Sequence, residues 1–193
     1  MNAIVAANSD WGIGRFGAQA LVISEDRLRF RALTDGGVVI AGRKTFEHLP
    51  GLEPLPNRKK IVLTRNPAYM AGNVTIAHSI NEVFMEIAGY DTEKTFVIGG
   101  GEIYRLFLPF CTYAYVTRIC IESPSDVFFP DLDALTGWSL ERREFGIWNP
   151  ESEVDENPEC ESPLRFISRN DKDCRIHYTF NVYKNNAVEE IYV

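Results

Sequence analysis

Metal-binding residue types are scarce in this chain: four cysteines (Cys111, Cys120, Cys160, Cys174) with no CxxC spacing, and three histidines (His48, His78, His177) scattered along 193 residues. That scatter argues against a zinc centre, and no metal is expected. Also missing is any run of about 18 apolar residues, the length a membrane-spanning helix requires. The opening MNAIVAANSD has no basic stretch leading into an apolar one, so it does not read as a secretory leader. The expectation is a cytoplasmic protein with reduced thiols, for which the Asn73-Val74-Thr75 sequon is meaningless. No Ser/His/Asp set and no paired carboxylates are evident, which leaves nucleophilic catalysis without a candidate.

What is present is ordinary globular material: 45% hydrophobic, 12% aromatic and 24% charged residues, enough for one buried core. The net charge of −7 is local. Residues 147 to 174 hold eight acidic side chains (Glu151, Glu153, Asp155, Glu156, Glu159, Glu161, Asp171, Asp173) and three basic ones (Arg165, Arg169, Lys172), so −5 of the −7 lies there. The remainder is nearly neutral, which gives no support to a nucleic-acid surface and leaves room for an anionic ligand elsewhere.

Short β-branched and aromatic runs predict eight strands: Ala3 to Ala7, Val38 to Ala41, Lys60 to Thr64, Val74 to Ala77, Thr95 to Ile98, Tyr113 to Ile121, Ser139 to Phe145 and Arg175 to Lys184. Helical patterns fall between the earlier ones, at Glu25 to Thr34, Arg43 to Leu49, Ile80 to Ala88 and Glu102 to Phe107, with Ser79 and Glu82 as a capping box for the third. Alternation of this kind predicts an α/β fold, a mostly parallel twisted sheet with about four helices on its two faces. The last two strands have no helix between them and form an antiparallel hairpin with a long polar excursion. The organisation expected is a single domain over 1–193 with an acidic insertion at about 147–174.

Two strands end in glycine at a helix start. Gly99-Gly100-Gly101 opens the helix containing Glu102, Ile103 and Tyr104; it is either a pyrophosphate cradle or a tight turn without a ligand. GxGxxG spacing is absent, so this is not a Rossmann fingerprint. Gly42-Arg43-Lys44-Thr45 is either an anion site or a solvated basic helix start, and the lysine spacing rules out a P-loop. If the strands ending at Gly42 and Thr64 are neighbours, Arg43, Thr64 and Arg65 converge on one rim and suit a phosphomonoester; otherwise Arg65 is a surface charge. In the helix after Ser24, read as its N-cap, Asp26, Phe30 and Leu33 share a face. Asp26 there is either a pocket carboxylate or a first-turn partner of the helix dipole.

Taken in order and spacing, Ile13-Gly14, Asp26 with Phe30, Gly42-Arg43-Lys44-Thr45, Leu55-Pro56-Asn57-Arg58, Val97-Ile98-Gly99-Gly100-Gly101-Glu102-Ile103-Tyr104, and Asp126 with Phe129-Pro130 resemble the dihydrofolate reductase family. The resemblance runs from residue 3 to about 130 and returns at the last strand. It implies NADPH-dependent reduction of 7,8-dihydrofolate to tetrahydrofolate, with dihydrofolate and antifolates as ligands and a monomer as the default state. It also implies that Asp26 is the one ionisable group in the pterin pocket, bridged to Thr117, with Tyr104 beside the reacting rings. Val5, Phe30 and Leu49 would desolvate that carboxylate, Phe30 and Leu55 would pack the aminobenzoyl ring, Ile98 would line the pocket, and Arg58 would pair with the glutamate carboxylate.

For the cofactor the resemblance implies Ala6, Ala7, Ile13 and Gly14 at the nicotinamide. Gly99 to Ile103 (Gly100, Gly101 and Glu102 between them) would take the pyrophosphate, with Ile98 and Tyr104 also at the cofactor. Gly42, Arg43, Lys44, Thr45, Thr64 and Arg65 would take the adenosine side. The loop from Asn8 to Leu21 would close over the site and meet the loop near Asp126.

The chain departs from the family at three places. Ala20-Leu21 stands where a Pro-Trp pair is usual, and Ser24 where another proline is common. Arg27 replaces an apolar side chain that faces folate, so it turns to solvent or reaches the glutamate tail. The acidic segment is extra. Two rivals remain from the residues alone: the related riboflavin-pathway reductase, which acts on a phosphorylated, ribosylated pyrimidine, and a nucleotide- or antifolate-binding module without turnover.

Overall fold

A computed structural model of the chain describes residues 1–19, 22–48, 56–149 and 175–191. The strands are β1 (Asn2–Ala7), β2 (Gly12–Arg15), β3 (Ala18–Gln19), β4 (Val38–Gly42), β5 (Lys59–Leu63), β6 (Thr75–Ala77), β7 (Thr95–Gly99), β8 (Tyr113–Ile119), β9 (Val127–Phe128), β10 (Trp138–Trp148) and β11 (Ile176–Asn185). The helices are α1 (Ser24–Thr34), α2 (Arg43–His48), α3 (Ile80–Ile87) and α4 (Gly101–Phe107).

Eight strands form one sheet in the order β10-β11-β8-β1-β7-β4-β5-β6. The pairs from β8 to β6 are all parallel, and β11 alone runs against its neighbours β8 and β10. The α/β sheet expected from alternating strand and helix signals is therefore present, including the antiparallel terminal hairpin. Its central strands are apolar on both faces because helices cover both. Ile4, Val39, Ala41, Phe96 and Ile98 pack with Phe30 and Leu33 of α1 and Phe46 of α2. Ala3, Val5, Val38, Ile40 and Val97 pack with Val83, Phe84 and Ile87 of α3 and Tyr104 and Phe107 of α4. Burying each large apolar side chain contributes about 1.5–3 kcal/mol, so the α3 stripe alone holds that helix in place.

The capping box at α3 is formed: Glu82 N–H donates to Ser79 Oγ at 3.2 Å, and the Glu82 carboxylate accepts the His78 N–H at 2.8 Å. The expected cap of α1 is corrected. Ser24 is already helical, and the N-cap is Ile23, whose carbonyl accepts from Arg27 N–H. Ile23 is buried against Trp148 and Ile176, which draws the chain into the helix one residue early. A second sheet, β3-β2-β9, was not expected; its strands are too short for alternation to register. The expected Leu49 and Leu55 contacts, the Ala20-Leu21 departure and the acidic segment from 150 to 174 lie outside the described residues. No described helix is long and apolar enough to cross a membrane.

Candidate active site

Strands β1 and β7 pair only at Asn2–Phe96 and Ala3–Val97, although both run on to Ala7 and Gly99. Beyond that point they part, and the sheet opens at its carboxyl edge. This is also where the chain direction switches: α1 carries it from β1 towards β4, and α4 carries it from β7 back to β8. Such switch points are where open α/β sheets hold ligands.

Asp26 reaches this opening from the first turn of α1. Thr117 of β8, opposite Ala6 of β1 in register, donates its hydroxyl to Asp26 Oδ1 at 2.5 Å. Burial raises the Asp26 carboxyl above the ordinary range, opposed by the Thr117 hydrogen bond and then by the charges of Arg29 and Arg27. Thr117 occupies one carboxyl oxygen and leaves Oδ2 for a ligand. Phe30, one turn on, and Ile98 of β7 lie on the same face of the sheet.

Val5 does not wall this carboxyl as expected. Strand alternation turns it to the α3/α4 layer, in the cluster with Val97 and Tyr104, and leaves Ile4 and Ala6 towards α1. Tyr104 is fully committed: its hydroxyl donates to the Ile4 carbonyl at 2.8 Å, and burial pushes its pKa upward. Its ring stands edge-on to Phe129 at 4.8 Å.

The glycine run has no room for side chains. A Cβ on Gly99, whose φ is +121°, would stand 3.1 Å from the Tyr104 ring; on Gly100 it would be 2.8 Å from Thr45 Oγ1, and on Gly101 2.8 Å from Val127. Bare backbone thus meets the start of α2 at this rim, a geometry that suits a pyrophosphate. The condition set by the sequence is met as well, because β4 and β5 are neighbours with Gly42 opposite Leu63. Arg43, Thr64 and Arg65 accordingly stand at one edge. Arg43 pairs with Glu47 at 3.0 Å, and Arg65, 92% exposed, is 3.8 Å from Glu102. Arg65 is therefore only loosely neutralised, whereas Arg43 is held in a hydrogen-bonded pair by Glu47 that a phosphate would have to displace.

The loop after β1 is fastened by a residue that the sequence reading passed over. Asn8 is fully buried; its Oδ1 accepts from Gly12 N–H at 2.6 Å, and its Nδ2 donates to Ser123 O at 2.8 Å. Trp11, also buried, lies between Phe129 and the Arg118 guanidinium. The expected contact with the Asp126 region exists, since Phe16 N–H donates to Asp126 Oδ2 at 2.9 Å and Asp126 N–H to Gly14 O at 3.0 Å. An asparagine immediately after a buried strand was the available signal for Asn8.

Arg58 closes the far end of α1. Its Nε donates to Thr34 Oγ1 at 2.9 Å, one terminal nitrogen to Pro56 O at 3.0 Å and the other to Arg31 O at 2.8 Å. A guanidinium has five N–H groups, so one on each terminal nitrogen remains for a carboxylate.

A model of the family described as dihydrofolate reductase matches residues 1–157. The chain belongs to the dihydrofolate reductase family. The dihydrofolate reductase of Mycobacterium leprae is 40% identical over 136 residues, 67% of this chain and 81% of that protein. That of Mycobacterium tuberculosis H37Rv is 36% identical over 140 residues, 70% and 80%. Among solved structures, the dihydrofolate reductase of Enterococcus faecalis complexed with NADP(H) and RAB-propyl superposes with a TM-score of 0.73 at 30% identity, covering 96% of this chain and 95% of that one. No observation favours either rival. Among the described residues no group of three or more metal-ligating side chains occurs.

Proposed function

We infer that this chain catalyses NADPH-dependent reduction of 7,8-dihydrofolate to 5,6,7,8-tetrahydrofolate. The observation that carries the reading is Asp26 joined to Thr117 in the cleft between β1 and β7, beside the glycine run at the carboxyl edge. NADPH supplies a hydride from its nicotinamide C4 to C6 of the pterin; the protein's task is to orient, dry and polarise.

Asp26 does the orienting. Its free Oδ2 accepts from the pterin amide and exocyclic amine, while the Thr117 hydroxyl fixes the carboxyl plane. Burial favours the protonated form of its carboxyl, and N5 is protonated through the pterin tautomer or a water at Asp26. Phe30 and Ile98 pack the rings, with Val5 contributing backbone only. Arg58 takes the glutamate carboxylate with its two remaining N–H groups.

Ala6, Ala7, Ile13 and Gly14 border the nicotinamide. Gly99 to Ile103 receive the pyrophosphate, and Gly42 to Thr45 with Thr64 and Arg65 receive the adenosine side and its phosphate. Tyr104 is a positioning residue: its proton is held by the Ile4 carbonyl, which braces β1 against α4 where the sheet parts. The same cleft is the one antifolates would occupy. We place the protein in the cytoplasm as a monomer of one domain, with 147–174 as its acidic insertion. Steady-state NADPH oxidation with dihydrofolate tests the activity. Turnover that prefers NADPH over NADH supports the reading, and its absence with both cofactors contradicts it.

A further inference from the structure

One arginine of α1 turns to the sheet. Arg29 follows Asp26 at i+3, so the two are neighbours on the helix surface, and it is half-buried where Arg27 and Arg31 are exposed. Its guanidinium lies over the Phe180 ring of β11 at 4.2 Å. Phe180 stands opposite Thr117 in register, and Thr117 is the residue that donates its hydroxyl to Asp26. Arg29, Phe180, Thr117 and Asp26 thus form one contiguous group on the α1 face of the sheet.

The cation in this group has no bonded carboxylate. Among the described residues, none lies within ion-pair distance of Arg29. Glu144 and Arg142 face it from β10 but are bonded to each other at 3.1 Å, and Tyr115 faces it from β8 with a hydroxyl whose pKa burial raises. Around Asp26 the other such groups are Arg27, exposed and screened by water, the Thr117 hydroxyl, and Tyr104 of α4, whose proton is held by the Ile4 carbonyl. Glu25, next in the chain, accepts the Ser24 hydroxyl at 2.9 Å. Arg29 is therefore the cation whose field reaches the Asp26 carboxyl through protein rather than through solvent, where a charge acts more strongly.

We propose that Arg29 is a positioning residue for the reaction, its charge held against Phe180 so that it acts on Asp26 and sets the pH at which hydride transfer falls off. The inference rests on the reading of the cleft as a folate site. A neighbouring positive charge favours the ionised carboxylate and so opposes the effect of burial. Removing it lets Asp26 hold its proton to higher pH, and hydride transfer, which needs N5 protonated, persists to higher pH with it.

The test is the single-turnover rate of hydride transfer from NADPH to dihydrofolate, followed from about pH 5 to about pH 9. It is run on the parent, on Arg29→Met and Arg29→Gln, which remove the charge with an apolar and a polar side chain, and on Arg29→Lys, which keeps it. The Met and Gln variants are expected to fall off at a midpoint about one pH unit above the parent's. The Lys variant should keep the parent's midpoint, and all four proteins should bind NADPH alike. A midpoint unchanged in the Met and Gln variants, or displaced as far in the Lys variant as in them, would overturn the role of Arg29 alone; the second outcome would mean that packing on Phe180 matters and charge does not. No hydride transfer by the parent at any pH would overturn the folate reading and this inference together.

Discussion

At the scale of single residues, Asp26 ties chemistry to stability. Burial raises its pKa in the fold, so between the unfolded and folded values the native state binds more protons. Its contribution to stability is therefore complete at pH values below the ordinary carboxylate range and declines as pH rises through the folded pKa. Asp26→Asn cannot ionise and still offers an oxygen to Thr117. The variant is expected to have a higher Tm than the parent at neutral pH, with the gap closing in acid; thermal melts showing no gap at neutral pH would contradict this. Asp26 was legible in sequence as a candidate, because Phe30 and Leu33 mark its face of the helix. The side of β1 on which Val5 lies was not, because a strand apolar on both faces carries no alternation to read.

At the scale of elements, the loop after β1 is held at its base by buried side chains and at its tip by backbone hydrogen bonds alone. Asn8 and Trp11 anchor it, whereas Phe16 is 83% exposed and attached through a backbone N–H. Removing the Asn8 side chain takes the shorter partner from the Gly12 N–H and the Ser123 carbonyl, leaving them Asp10 Oδ1 at 3.3 Å and Ser125 Oγ at 3.2 Å, at a cost of about 0.5–1.5 kcal/mol per bond. Asn8→Ala is predicted to lower Tm by several degrees and to speed proteolytic cleavage within residues 12–19. Unchanged cleavage would mean that Asn8 does not fasten the loop. The strands of the main sheet were readable because β-branched apolar runs of five or so residues are unambiguous. The small sheet was not: β3 and β9 have two residues each, and their pairing depends on tertiary contact between Gly14 and Val127. The hairpin strand β10 reaches Trp148, beyond the expected Phe145, because Trp148 is buried and pairs with Ile176.

At the scale of the whole molecule, strand order creates the site. Thr117 meets Asp26 because β8 lies beside β1, and Arg43 shares an edge with Thr64 and Arg65 because β5 lies beside β4; neither adjacency is written in the local sequence. The second predicts cofactor choice. Arg43→Gln should raise KM for NADPH about tenfold, the loss of one charge-assisted contact, with KM for NADH unchanged. A parallel rise for both cofactors would place Arg43 at the shared pyrophosphate instead.

The central claim is that this cleft reduces dihydrofolate and that Asp26 is its one ionisable group. It is tested most directly by NADPH oxidation with dihydrofolate, measured for the parent and Asp26→Asn under identical conditions, with NADPH affinity measured in parallel. The account predicts turnover by the parent, a loss of about a hundredfold or more in the variant and nearly equal NADPH binding by both. Comparable turnover by the two proteins would contradict the role given to Asp26.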